Sequence, residues 1–274
     1  MYPNRERFPD SPLALVAAEV RFTDSARLRQ QDTLDKVAIA LEGRFPFAHS
    51  VQQSGLQLVV GGSATPAAAT MPVTNMTVLT SSTNTESITL TSASVIYETT
   101  DYVEFASLLD AVQQACQALI DAEVRPAIRR IGLRYIDEVR VPTAIADVRQ
   151  WSEWIDRRLV DHVDVGPVRH PVRMTQGVTT YDLGDGKGLN FHFAALNQGA
   201  VVSPQILRLP RPAGSGPFFV LDYDGFQEFP GDVAVLLDPG VVRNSLEAVH
   251  APAGEAFQNS ITDRARELFR GNHP

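Results

Sequence analysis

Apolar and polar residues alternate singly in some stretches of this chain and recur every three to four residues in others, which separates strands from helices. Leu13–Phe22 (LALVAAEVRF) puts Val16, Ala18, Val20 and Phe22 on one strand face and Glu19 and Arg21 on the other. Asp32 opens a helix whose Leu34, Val37, Ala38 and Leu41 make one stripe, closed by Gly43 and Pro46. Val51–Val60 reads as a strand, and Gly61–Asn75 as a surface excursion of small residues and prolines. Met76–Ser82 and Glu86–Tyr97 read as two further strands. From Glu104 to Glu123, Phe105, Leu108, Leu109, Val112, Cys116 and Leu119 recur at helical spacing, an apolar stripe that must dock on a core.

A strand over Ala127–Val141, ended by Pro142, leads into a predicted helix at Val148–Asp161 containing Trp151 and Trp154. Strands at Pro171–Leu183 and Leu189–Leu196 flank Gly184–Gly188, a hairpin turn without the spacing of a nucleotide-binding loop. Pro204–Gly216 is a loop and Phe218–Asp224 a buried strand. Asp238-Pro239 starts a C-terminal helical region that the pattern interrupts near Pro252 and resumes through Phe257, Ile261, Ala265 and Leu268. Strands cluster instead of alternating with helices, so the expected class is α+β, mainly antiparallel sheets packed with long amphipathic helices. The order suggests two similar halves, 1–145 and 146–274, able to form one compact unit.

Composition narrows the function classes. The 274 residues are 44% hydrophobic and 20% charged, an ordinary globular balance. No apolar run reaches the roughly 20 residues that span a bilayer. The N-terminal MYPNRERFPDSP lacks a secretion signal's apolar core, so a cytoplasmic location is expected. The net charge of −8 argues against general nucleic-acid binding. The single cysteine, Cys116, sits on a helix stripe and reads as a buried small hydrophobe.

Candidate chemistry is sparse. On the central strand Arg130 and Arg134 share a face about 13 Å apart at strand rise, a basic rail for an anion or a partner. The alternative is an arginine pair satisfied by nearby carboxylates. Asp222 and Asp224 alternate on a strand end and could hold a divalent cation; otherwise no cofactor is expected. Trp151 and Trp154 are candidate interface anchors, with a core role as the alternative. The six histidines form no metal motif, and His192 and His250 are the two considered for acid–base work.

Three segments carry a resemblance: Ser11–Phe22, Arg130–Asp137 (RIGLRYID), and a C-terminal stretch with Leu246, His250, Phe257 and Ile261–Asp263. In order and spacing they resemble a sporadically distributed, uncharacterised bacterial protein family with a central R-I-G-L-R-Y motif. Its scattered distribution is similar to that of defence-associated or mobile genes, and implies no catalytic assignment. The function expected is a non-enzymatic binding or assembly component acting through protein contacts, defence- or toxin-associated, with a protein partner or a homodimer. The alternatives are a metal-dependent hydrolase or nuclease, and a small-ligand sensor with its pocket between the halves.

Overall fold

Alternation along β1 (Leu13–Phe22) decides the architecture, because one of its faces is apolar throughout and must be covered. In the computed structural model, which describes residues 6–53, 74–200, 207–210 and 214–271, Val16, Ala18, Val20 and Phe22 are buried beneath helices. β1 lies near the middle of a sheet that has nine strands among the described residues. The others are β2 (Phe47–Gln53), β3 (Thr74–Thr80), β4 (Glu86–Leu90), β5 (Ser94–Thr99), β6 (Ile128–Val139), β7 (Thr175–Gly184), β8 (Lys187–Leu196) and β9 (Phe218–Glu228). Their spatial order is β2-β3-β4-β5-β1-β6-β9-β8-β7, and every pairing is antiparallel. The protein is therefore α+β, with one large antiparallel sheet. On each side of the central β1–β6 pair a meander counts back toward the edge.

Four α-helices among the described residues accompany the sheet: α1 (Gln31–Leu41), α2 (Phe105–Asp121), α3 (Pro239–Ser260) and α4 (Asp263–Phe269). All contribute to the apolar layer on one sheet face. One cluster joins β1, β5, β6, α1, α2 and the start of α3; a second joins β8, β9, α4 and the end of α3. α3 approaches the sheet closely at Gly225 on β9, where a Cβ would stand 3.0 Å from the Val249 Cβ and 3.1 Å from its carbonyl oxygen. α3 can lie against β9 there because position 225 has no side chain. The opposite sheet face is mostly polar, apart from a small cluster around Ile136, Phe218 and Val220.

Several elements differ from the sequence reading. Glu86–Tyr97 is not one strand but the β4–β5 hairpin. Its turn is built by side chains: Thr91 Oγ1 accepts from the Ala93 N–H and lies 2.9 Å from Ser94 Oγ. Val148–Asp161 is not an α-helix but a chain of short 3₁₀ turns, at Val148–Glu153, Arg157–Leu159 and Asp161–Val165. Asp147 and Gln150 cap the start of the first reciprocally, and Asp156 caps the start of the second, so each short turn has its own N-terminus. α3 runs unbroken through Pro252, which has no N–H to donate to the Ala248 carbonyl and whose ring crowds that carbonyl. The break comes instead at Ile261, which bridges to Ile155, and Thr262 caps α4 by accepting from the Ala265 N–H.

The β7–β8 hairpin turns as expected at Asp185-Gly186, whose φ angles of 53° and 71° are both left-handed. The strand expected at Val51–Val60 lies outside the described residues beyond Gln53, as does the excursion at Gly61–Asn75 up to residue 73. Among the described residues, no helix is long and apolar enough to cross a membrane.

Candidate functional site

β6 carries the R-I-G-L-R-Y-I-D segment, and its alternation sends two kinds of chemistry to opposite faces. Arg130, Gly132 and Arg134 point to the polar face. The Arg134 guanidinium grips Asp222 with two hydrogen bonds, Nε to Oδ1 at 2.7 Å and Nη2 to Oδ2 at 2.6 Å. Arg130 donates to Asp224 Oδ2 at 2.7 Å, lies 3.8 Å from Glu19 and stacks 4.9 Å above the Phe226 ring. Gly132 makes this possible, since a Cβ there would stand 2.5 Å from Arg130 Nη1. The candidate anion-binding arginines and metal-binding aspartates are thus brought together, but as partners of each other. Each carboxylate faces a guanidinium where a cation would need open coordination. Among the described residues no group of three or more His, Cys, Asp or Glu converges as a metal site.

Trp151 and Trp154, read as candidate interface anchors, are each 1% exposed. Trp151 meets Phe219 edge-on at 5.6 Å, and Arg264 lies 4.5 Å over Trp154. Both indoles are core, which leaves neither with surface to offer a partner. His192 is exposed on the polar face of β8, opposite Asp222 in register.

The helix-covered face of β6 carries Tyr135 and Asp137, and above them the layer opens into a cavity of about 1360 Å³. Its floor is Tyr135, Asp137 and Tyr223, directly opposite Tyr135 in register. Phe105 from the start of α2 and His250 and Phe257 from α3 line its sides. Residues 6–12 cross the cavity as a strap. Glu6 and Arg7 tie it to Arg270 and Glu104, and the Asp10 N–H donates to the Phe269 carbonyl at 2.9 Å. Phe8 meets Phe257 and Phe269 edge-on at 6.3 and 5.7 Å.

Within the cavity the Tyr135 hydroxyl and His250 Nδ1 are hydrogen-bonded at 2.9 Å, in a direction set by the imidazole tautomer. The imidazole lies flat on Phe105, with centroids 4.0 Å apart and an interplanar angle of 6°, so the ring is fixed on two sides. Burial raises the Tyr135 hydroxyl well above the ordinary phenol range, with Tyr102 beside it adding to the effect.

Asp137 is the group that sequence reasoning did not single out. Its residue is 3% exposed and lines the cavity, and it has no hydrogen bond or ion pair among the described residues. Burial raises its pKa well above the carboxylate range, and the nearby Asp222 charge raises it further. The apolar surroundings of an RYID aspartate are set by α3 and β9, so no local pattern marked it. Compared with known proteins, the chain matches no family model and no curated sequence.

Proposed function

We propose that the protein is a small-ligand sensor whose binding site is the cavity between α2, α3 and the sheet. The observation that supports this reading is the cavity itself. At about 1360 Å³ it is larger than the on the order of 300–1,000 Å³ of drug-sized pockets, and it combines aromatic walls with a few fixed polar groups. Its residues come from both 1–145 (Phe105, Tyr135, Asp137) and 146–274 (Tyr223, His250, Phe257), so an occupant would tie the two halves together. Native mass spectrometry of protein purified gently from its own host tests the reading. The expected result is a bound small mass that the His250→Ala and Tyr135→Phe variants lose. A bare chain whose cavity residues also show no NMR response to any fragment would overturn it.

A second reading, contact with a protein partner or a second copy, rests on β7. Among the described residues this strand pairs only with β8 and forms one edge of the sheet, with Met174 beside it and Val178 and Tyr181 along it all exposed. Two β7 edges could pair antiparallel into a homodimer. Light scattering during size-exclusion chromatography should then give twice the chain mass for the wild type and the monomer mass for Tyr181→Lys. A monomeric wild type would remove the homodimer.

A further inference from the structure

From the same cavity, and resting on the sensor reading, we infer that the ligand carries a cationic nitrogen and that Asp137 is its counter-charge. A carboxyl that is nine-tenths or more buried normally has a guanidinium, an ammonium or several N–H donors around it. Asp222, on the neighbouring strand, follows that rule through Arg134. Asp137 does not, although it lines the cavity of about 1360 Å³. A side chain so placed costs stability unless something that enters the cavity completes it.

The surroundings of Asp137 suit an organic cation better than a neutral or anionic group. Tyr135 lies two residues along on the same face and Tyr223 sits across from Tyr135, so both rings stand beside the Asp137 position on that face. Phe257 meets Tyr223 edge-on at 6.4 Å, so the floor and the α3 wall present aromatic rings around the carboxyl. Ring faces attract alkylammonium and guanidinium groups, and a desolvated carboxylate adds a direct ion pair. Among the described residues the cavity lining carries seven carboxylates and three guanidiniums, and four of the carboxylates, Glu6, Glu104, Glu138 and Glu247, are already ion-paired with arginines. A bare metal ion fits less well, because among the described residues no group of three or more His, Cys, Asp or Glu converges as a metal site. The class implied is an aryl- or alkyl-amine, or an amidine.

The test uses three probes of one shape, phenethylammonium, 2-phenylethanol and phenylacetate, titrated into the full chain with NMR readout at cavity residues. The expected result is that the ammonium binds about 30-fold or more tighter than the alcohol and that the phenylacetate is excluded. In Asp137→Asn, which keeps the shape and removes the charge, that preference should collapse while the alcohol still binds. Equal binding of ammonium and alcohol to the wild type would overturn the inference yet leave a ligand-binding cavity standing. So would an ammonium preference that survives in Asp137→Asn. No response to any probe would remove the sensor reading along with it. If Asp137→Asn does not fold, the wild-type ratio alone decides, since it needs no variant.

Discussion

Asp137 makes the stability of the unliganded protein depend on pH in a direction opposite to that of most carboxylates, and replacing it by asparagine should remove that contribution. In the unfolded chain the group ionises near its ordinary value of about 3.9. In the folded chain burial and Asp222 hold it protonated well above that value. Between the two values the folded state binds one proton more than the unfolded state, so stability falls as pH rises. The fall is about 1.4 kcal/mol per pH unit for one group, and ends where the folded carboxyl ionises. Glu98, raised by burial and by Glu19, adds a slope of the same sign. Glu86 and Asp156, lowered chiefly by Arg44 and Arg158 respectively, add the opposite sign. These terms are common to both chains and cancel in the difference between Asp137→Asn and wild type. Urea unfolding followed by fluorescence of the buried Trp151 and Trp154, from about pH 4 to about pH 8, measures that difference. The variant should gain on the wild type by about 1.4 kcal/mol per unit from about pH 4 upward and then level off. A difference that is flat, or that favours the wild type as pH rises, would refute the uncompensated buried carboxyl.

Other consequences are sharp enough to measure. Arg134→Ala strands Asp222, whose side chain is 6% exposed, and should cost roughly 2–4 kcal/mol, whereas Arg134→Ala/Asp222→Ala should cost clearly less than the sum of the singles. Additive single losses in denaturant melts would show that the two groups do not act as a pair. Gly225→Ala drives a methyl to 3.0 Å from the Val249 Cβ and should destabilise by roughly 1–3 kcal/mol; an unchanged melt would mean that α3 lifts freely off β9. The Cys116 thiol is fully buried and pushed up to about 12, so a disulfide reagent at about pH 8 should label it only at the rate of unfolding.

How much of this was legible along the chain depended on whether the deciding contacts are local. β1, β8 and α2 follow from alternation or helical recurrence because their neighbours in sequence share their fate in space. The β4–β5 turn escaped because Thr91-Ser92-Ala93 carries no glycine or proline, and hydroxyl side chains bend it instead. Pro252 misled for the opposite reason: a strong local breaker is overridden where Val249 and Ala253 are held in the core on either side. The alternative reading of Arg130 and Arg134, as a pair satisfied by carboxylates, could be framed from the sequence. Only the β6–β9 register could show that Asp222 and Asp224 are those carboxylates.

The same register explains why Asp137 could not be found that way and why it differs from its neighbours. Asp222 and Asp224 stand on the face of β9 that meets Arg134 and Arg130, so the polar face of the sheet neutralises itself strand by strand. Three residues beyond Arg134 on β6, Asp137 lies on the helix face, where Leu13 and Leu221 are its register partners and neither can supply a charge. The helices complete that face for every other residue from Ile131 to Val139 except Tyr135, half-buried and bonded to His250, and Asp137. A segment selected only for folding would carry an apolar residue at 137, as it does at 131, 133 and 139. A carboxyl there makes sense if the cavity is filled by something that needs it.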